Sequence, residues 1–143
     1  MKLFLDCEFN GFNGPLISLA LVDTNKNYFY EVLACNEPIP WVKDNVIPKL
    51  NQEPINYLDF QAKLQAFLFN YDSIHIIADW PEDIALFLNA LMTQPGQCIQ
   101  TPPLTMQIWK PTNQNSIIVS KNPHNALSDA LALLENYTRE DKT

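Results

Sequence analysis

At 143 residues and 47% hydrophobic content, the chain is long enough to bury the core of one globular domain and too short for two. Its net charge of −7, from 16 acidic and nine basic residues, argues against a broad basic surface of the kind that grips a long duplex, so any nucleic-acid contact is expected to have a small footprint. No apolar run approaches the roughly 18–20 residues of a membrane span, and no basic leader precedes the first strand. The three cysteines form no CxxC pair, so small buried thiols in a soluble, cytoplasmic protein are expected rather than disulfides or a structural zinc.

The chain opens on Lys2–Phe9, an apolar run that carries Asp6 and Glu8 and breaks at Asn10-Gly11. Strand alternation puts Leu3, Leu5 and Cys7 on one face and Phe4, Asp6 and Glu8 on the other. Side chains two apart on a strand have Cα atoms roughly 6.5–7 Å apart, so both carboxylates can reach one divalent cation or a pair of them. A solvated strand end is the plainer alternative. After the 10–15 turn, residues 16–22 and 28–33 read as further strands joined by the polar turn 23–27, which makes an antiparallel meander. Pro38 and Pro40 mark a connection to a short helix that starts near Trp41 and ends before Pro48. Asp59 is placed to cap the next helix, in which Phe60, Leu64, Phe67, Leu68 and Tyr71 recur at helical spacing as a core stripe.

Residues 73–79 form a β-branched strand, with His75 an ordinary member of it. A helix starts at Trp80-Pro81 and runs to about Met92, which puts Asp83 in a first helical turn directly after a strand. Residues 93–103 read as a loop with a little extended structure over 98–100, 104–109 as a strand, and 110–122 as mostly polar chain. The last helix is expected over 123–134, started by Asn122-Pro123, with Leu127, Ala130, Leu131 and Leu134 on one face and fraying from about Glu140. The sum is a single α/β domain with a mixed sheet. His124 and Asp129, five residues apart, lie roughly 140° apart on a continuous helix. They converge only if His124 sits at or before the helix start, where Asn122-Pro123 places it.

Asp6-Cys7-Glu8, then Asp83 before Ile84-Ala85-Leu86-Phe87, then His124-Asn-Ala-Leu-Ser-Asp129 resemble, in order and spacing, the three motifs of the DEDDh 3′–5′ exonucleases of the ribonuclease H-like superfamily. Asp6-Cys-Glu-Phe9, the 41–50 segment and His124-Asn-Ala-Leu-Ser-Asp-Ala130 bring the chain nearest to the ribonuclease AS-type exoribonucleases. The resemblance spans residues 6–129 and implies a DEDDh exonuclease domain over 1–143, with a ribonuclease H-like mixed sheet flanked by helices. In that family an Asn commonly stands four positions before the second-motif Asp. Both Asp79 and Asp83 are available here, and the match assigns the role to Asp83 with Asp79 in the Asn position. Glu82 stands where many relatives carry an aromatic residue.

The resemblance further implies that Asp6, Glu8 and Asp129 bind one Mg²⁺ or Mn²⁺, with Asp6 shared by a second ion and Asp83 completing the shell. His124 would be the general base, and nucleoside 5′-monophosphates would leave the 3′ end of single-stranded RNA, DNA ends being the alternative substrate. A homodimer is likewise implied. Phe9, Phe12 and Trp80 adjoin the motifs as candidates to stack bases, a contact of about 1–3 kcal/mol each, although aromatics in such a chain are more often core. Lys110 and Lys121 are candidate phosphate contacts. Two other readings compete. A haloacid dehalogenase-type phosphatase would need Asp where Glu8 stands and has no job for His124 and Asp129. A catalytically silent nucleic-acid-binding module would have no use for clustered like charges.

Overall fold

A computed structural model of the chain describes residues 1–142. Its first three strands, β1 (Lys2–Phe9), β2 (Leu16–Asp23) and β3 (Tyr28–Val32), pair antiparallel as a meander, as the two polar turns predict. Two later strands, β4 (Ile74–Ala78) and β7 (Leu104–Ile108), add in parallel on the other side of β1, giving a five-stranded mixed sheet in the order β3-β2-β1-β4-β7. Parallel pairing needs a crossover, and helices supply it. Helices α1 (Pro40–Asn45) and α2 (Tyr57–Leu68) lie in the connection to β4 and α3 (Pro81–Leu91) in the connection to β7, while α4 (Ala126–Asp141) follows the last strand and packs back on the sheet. The molecule is one small α/β domain. Among the described residues no helix is long and apolar enough to cross a membrane.

The sheet separates two cores, and β1 contributes to both by alternation. Leu3, Leu5 and Cys7 pack with Phe60, Leu64 and Leu68 of α2 and Phe87 of α3. Phe4 packs on the opposite face with Val42 of α1 and Ala126, Ala130 and Leu134 of α4. Phe4, Phe60 and Phe87 are fully buried, each contributing about 1.5–3 kcal/mol by removal from water. Of the stripe read on α2, Phe60, Leu64 and Leu68 are buried core, Phe67 is half-buried against them, and Tyr71, also half-buried, lies past the end of the helix. Asp6 and Glu8 share the α4 face with Phe4, so the apolar side of that interface gives way to carboxylates toward the C-terminal end of β1.

Several boundaries differ from expectation for identifiable reasons. Helix α2 is capped not by Asp59 but by Asn56, whose Oδ1 accepts the Asp59 N–H at 2.8 Å while its Nδ2 donates to Asp59 Oδ2 at 2.9 Å. Asp59 is thus the third-residue partner of a reciprocal cap. Helix α4 starts at Ala126 rather than at Pro123. Its cap is Asn125, which accepts the Ser128 N–H, and the helix stays regular through Asp141 instead of fraying from Glu140. The segment read as loop at 93–103 holds a short hairpin, β5 (Met92–Gln94) with β6 (Gln97–Cys98), turning at Gly96 with φ of +74°. All five of its strand residues are exposed, so no burial pattern marks it in the sequence. The same exposure corrects the expectation for the thiols. Cys7 is buried, but Cys35 is half-buried and Cys98 is exposed. His75 is held in the sheet by Thr105 and Gln107 of β7, at 2.6 and 3.0 Å.

Candidate metal centre

Four elements deliver acids to one edge of the sheet. Asp6 and Glu8 stand on β1 opposite Ala20 and Ser18 of β2, just before a register shift between Glu8 and Phe9. Because β4 runs parallel to β1, the chain leaves it at the same edge, and Asp79 follows directly. Pro81 then opens α3 with Asp83 in its first turn, and Asp129 occupies the first turn of α4. Helix N-termini favour negative charge, which offsets only part of what burial costs the two helical carboxylates. The sheet, rather than sequence proximity, brings the set together.

Two groupings result, and Asp6 belongs to both. Ligand oxygens of Asp6, Glu8 and Asp129 lie within 4.8 Å of one another, and so do those of Asp6, Asp79 and Asp83. Asp83 is 2% exposed and Glu8 9%. Neither Asp6 Oδ2 nor Asp129 Oδ1, both buried, has a hydrogen-bond partner. Buried carboxylate oxygens normally find donors, so two orphans facing a common cluster single it out as a candidate cation site.

The ionisation of the cluster tells the same story. Burial pushes the Asp6 carboxyl well above its ordinary range, and the negative charges of Asp83, Glu8, Asp129 and Asp79 add to the effect. Burial, then Asp129, raises Glu8 to about 8. Burial, then Asp79, raises Asp83 to about 8. Asp129 is also raised by burial, against the opposing pull of the Ser120 hydroxyl and the His124 N–H. Hard divalent cations take such all-oxygen donor sets, so the residues fit Mg²⁺ or Mn²⁺.

The remaining residues singled out in the sequence divide clearly. His124 lies before the helix start with φ of +68°, and its backbone N–H donates to Asp129 Oδ2 at 3.0 Å. A cavity of about 540 Å³ opens beside Asp6, Asp79 and Asp129 and is also lined by Trp80, Trp109 and Lys110. Trp80 is half exposed and the Lys110 ammonium sits 5.6 Å from its ring centre. Phe12 is 86% exposed on the turn after β1, whereas Phe9 packs against the core and is half-buried. Lys121 is exposed and lies outside that cavity's lining. A larger groove of about 970 Å³ runs between the 13–16 turn and α3 but contains none of the five carboxylates.

Two residues gain roles that the motif match did not assign. Asp79 joins Asp83 at the cluster; its signal was its position at the end of a strand parallel to β1. Glu82 accepts from Trp80 Nε1 at 3.2 Å and from the Asn13 N–H at 3.3 Å, tying the turn after β1 to the start of α3. No family model matches the chain, and no curated protein matches it.

Proposed function

We propose that the protein is a divalent-metal-dependent 3′–5′ exoribonuclease of ribonuclease H-like fold. The observation that carries this reading is the sharing of Asp6 between two carboxylate groups, with buried, unpartnered oxygens on Asp6 and Asp129. The antiparallel meander extended by two parallel strands is consistent with the proposed fold. Asp6, Glu8 and Asp129 would hold one ion, and Asp6 with Asp79 and Asp83 a second. When bound, such a pair supplies activation of the attacking water and neutralisation of the leaving oxygen in an in-line displacement.

The protein's own groups do the rest. His124, before α4 and tied to Asp129 through its backbone, accepts the proton of the attacking water on a ring nitrogen. Hydrolysis breaks the bond between phosphorus and the 3′ oxygen, leaving a nucleoside 5′-monophosphate and a new 3′ hydroxyl. Trp80 offers a half-exposed indole for a base, and Lys110 a cation for a phosphate beside it. The acidity of the whole chain fits an enzyme that engages a strand end rather than a long duplex.

The test is incubation with Mg²⁺ or Mn²⁺ and 5′-labelled single-stranded RNA and DNA of several compositions, with EDTA and Asp129→Asn as controls. The expected result is a metal-dependent ladder on RNA that shortens from the 3′ end and is lost in the variant. Equal degradation of DNA would move the substrate to DNA ends. No degradation, with no metal binding by calorimetry, would leave a binding module. Phosphate release from small phosphomonoesters would favour a phosphatase.

A further inference from the structure

A general-base histidine is normally oriented by a hydrogen bond from its second ring nitrogen to a carboxylate or carbonyl. His124 has no such bond among the described residues. Its backbone is fixed, in the left-handed region that a β-carbon disfavours, by the Asp129 carboxylate that accepts its N–H. Its ring, however, meets one aromatic neighbour, Trp41. The ring centres lie 5.0 Å apart at an interplanar angle of 84°, an edge-to-face contact.

Trp41 is itself held in place. Its short helix α1 is anchored by Val42 and Val46, each 1% exposed. The turn that follows, Ile47–Lys49, is clamped to the start of α4: Asn125, the residue after His124, donates from Nδ2 to Lys49 O at 2.8 Å and to Tyr30 Oη at 3.2 Å. The Tyr30 hydroxyl donates in turn to Leu50 O at 2.6 Å. One asparagine therefore caps α4 and fixes α1 relative to the histidine beside it, while the indole stays 53% exposed. An exposed indole gains little from burial, so its placement calls for another reason.

We infer that Trp41 is a positioning residue whose edge-to-face contact sets the orientation of the His124 imidazole before α4. The inference rests on the exonuclease reading. Misplacing a catalytic group by about 1 Å can cost about 10²-fold in rate, so Trp41→Ala is expected to lower kcat about 10- to 100-fold with KM within about twofold. Trp41→Phe, which keeps a ring, should retain most of kcat. In a His124→Ala background Trp41→Ala should cost nothing further, because the two act as one unit.

The contact has a readout that does not need activity. The chain has two histidines, so His124→Ala assigns the ring proton resonances. Trp41→Ala should shift those of His124 and leave those of His75 in place, with circular dichroism unchanged. Unmoved His124 resonances overturn the contact. Additive losses in the double variant, or a loss confined to KM, overturn the positioning role. A wild-type protein that degrades no nucleic acid while the resonances still shift removes the reaction itself, and with it the inference, which separates that failure from the other two.

Discussion

Asp23 pairs with Leu3 near the start of β1 and Asp6 stands three residues further along it, toward the acidic end, and the two show two ways to bury a carboxylate. Asp23, 1% exposed, accepts the backbone N–H groups of Asn25 and Asn27, the Asn27 side-chain amide and the Tyr71 hydroxyl, all at 2.8–2.9 Å. Burial raises its carboxyl, but the Asn27 and Tyr71 side chains and the backbone donors outweigh it and hold it below its ordinary value. Asp6 has a buried oxygen with no donor and four acids for neighbours, and is pushed the other way. The polar turn at Asp23 is complete within the chain. At Asp6 one buried oxygen has no donor within the chain, which is where the proposed ions would bind.

The largest expected effect tests that contrast directly. Asp6→Asn removes the carboxylate common to both groupings and should lower the proposed nuclease activity by about 10⁴-fold or more, since bound ions supply several kcal/mol of transition-state stabilisation. The same change should stabilise the protein in EDTA, because it relieves repulsion among five acids. A lower urea midpoint for this variant in EDTA would break the comparison.

At the other end the signs reverse. Asp23→Ala strands the Tyr71 hydroxyl and the Asn27 donors and should destabilise the fold by about 2–3 kcal/mol, read as a lower urea midpoint at neutral pH. Metal-dependent activity of the folded fraction should be unchanged, as the Asp23 carboxylate bonds Tyr71 on the sheet face away from the acidic cluster. Loss of activity without loss of stability would mean that the two ends are not independent.

How much of this was legible in the sequence follows from what each signal depends on. Alternation in Lys2–Phe9 fixes the faces of Asp6 and Glu8, and the Pro81 start fixes Asp83 in a first turn; both are local and both match the structure. Asp79 was assigned the Asn position because a linear motif admits one residue per role, whereas the parallel pairing of β1 with β4 brings two acids to the same edge. Pro123 suits a first helical turn, but α4 starts three residues later because Asn125 caps it, with a side chain that bonds both Ser128 and the distant Lys49. The contact of Trp41 with His124 joins residues that no periodicity relates. Local chemistry is written locally; the long-range partners come from the sheet.

The pH dependence of the metal-free protein has two limbs, and they belong to the two ends. Glu8 and Asp83 titrate near 8 in the folded chain but near 4 when unfolded, so the folded state binds more protons between those values and stability falls as pH rises across that window. Asp23, lowered in the fold, contributes stability that is present above its unfolded value and lost as pH falls below it. Melting in EDTA should therefore peak near pH 4–5 and drop by about 5 °C or more by pH 8. Adding Mg²⁺ should restore the alkaline limb and leave the acid limb unchanged, since ions compete with protons only at the cluster. In Asp6→Asn the alkaline drop should shrink and Mg²⁺ should lose most of its effect. If Mg²⁺ raises the melting temperature equally at pH 5 and pH 8, the ion is not binding where the carboxylates are raised.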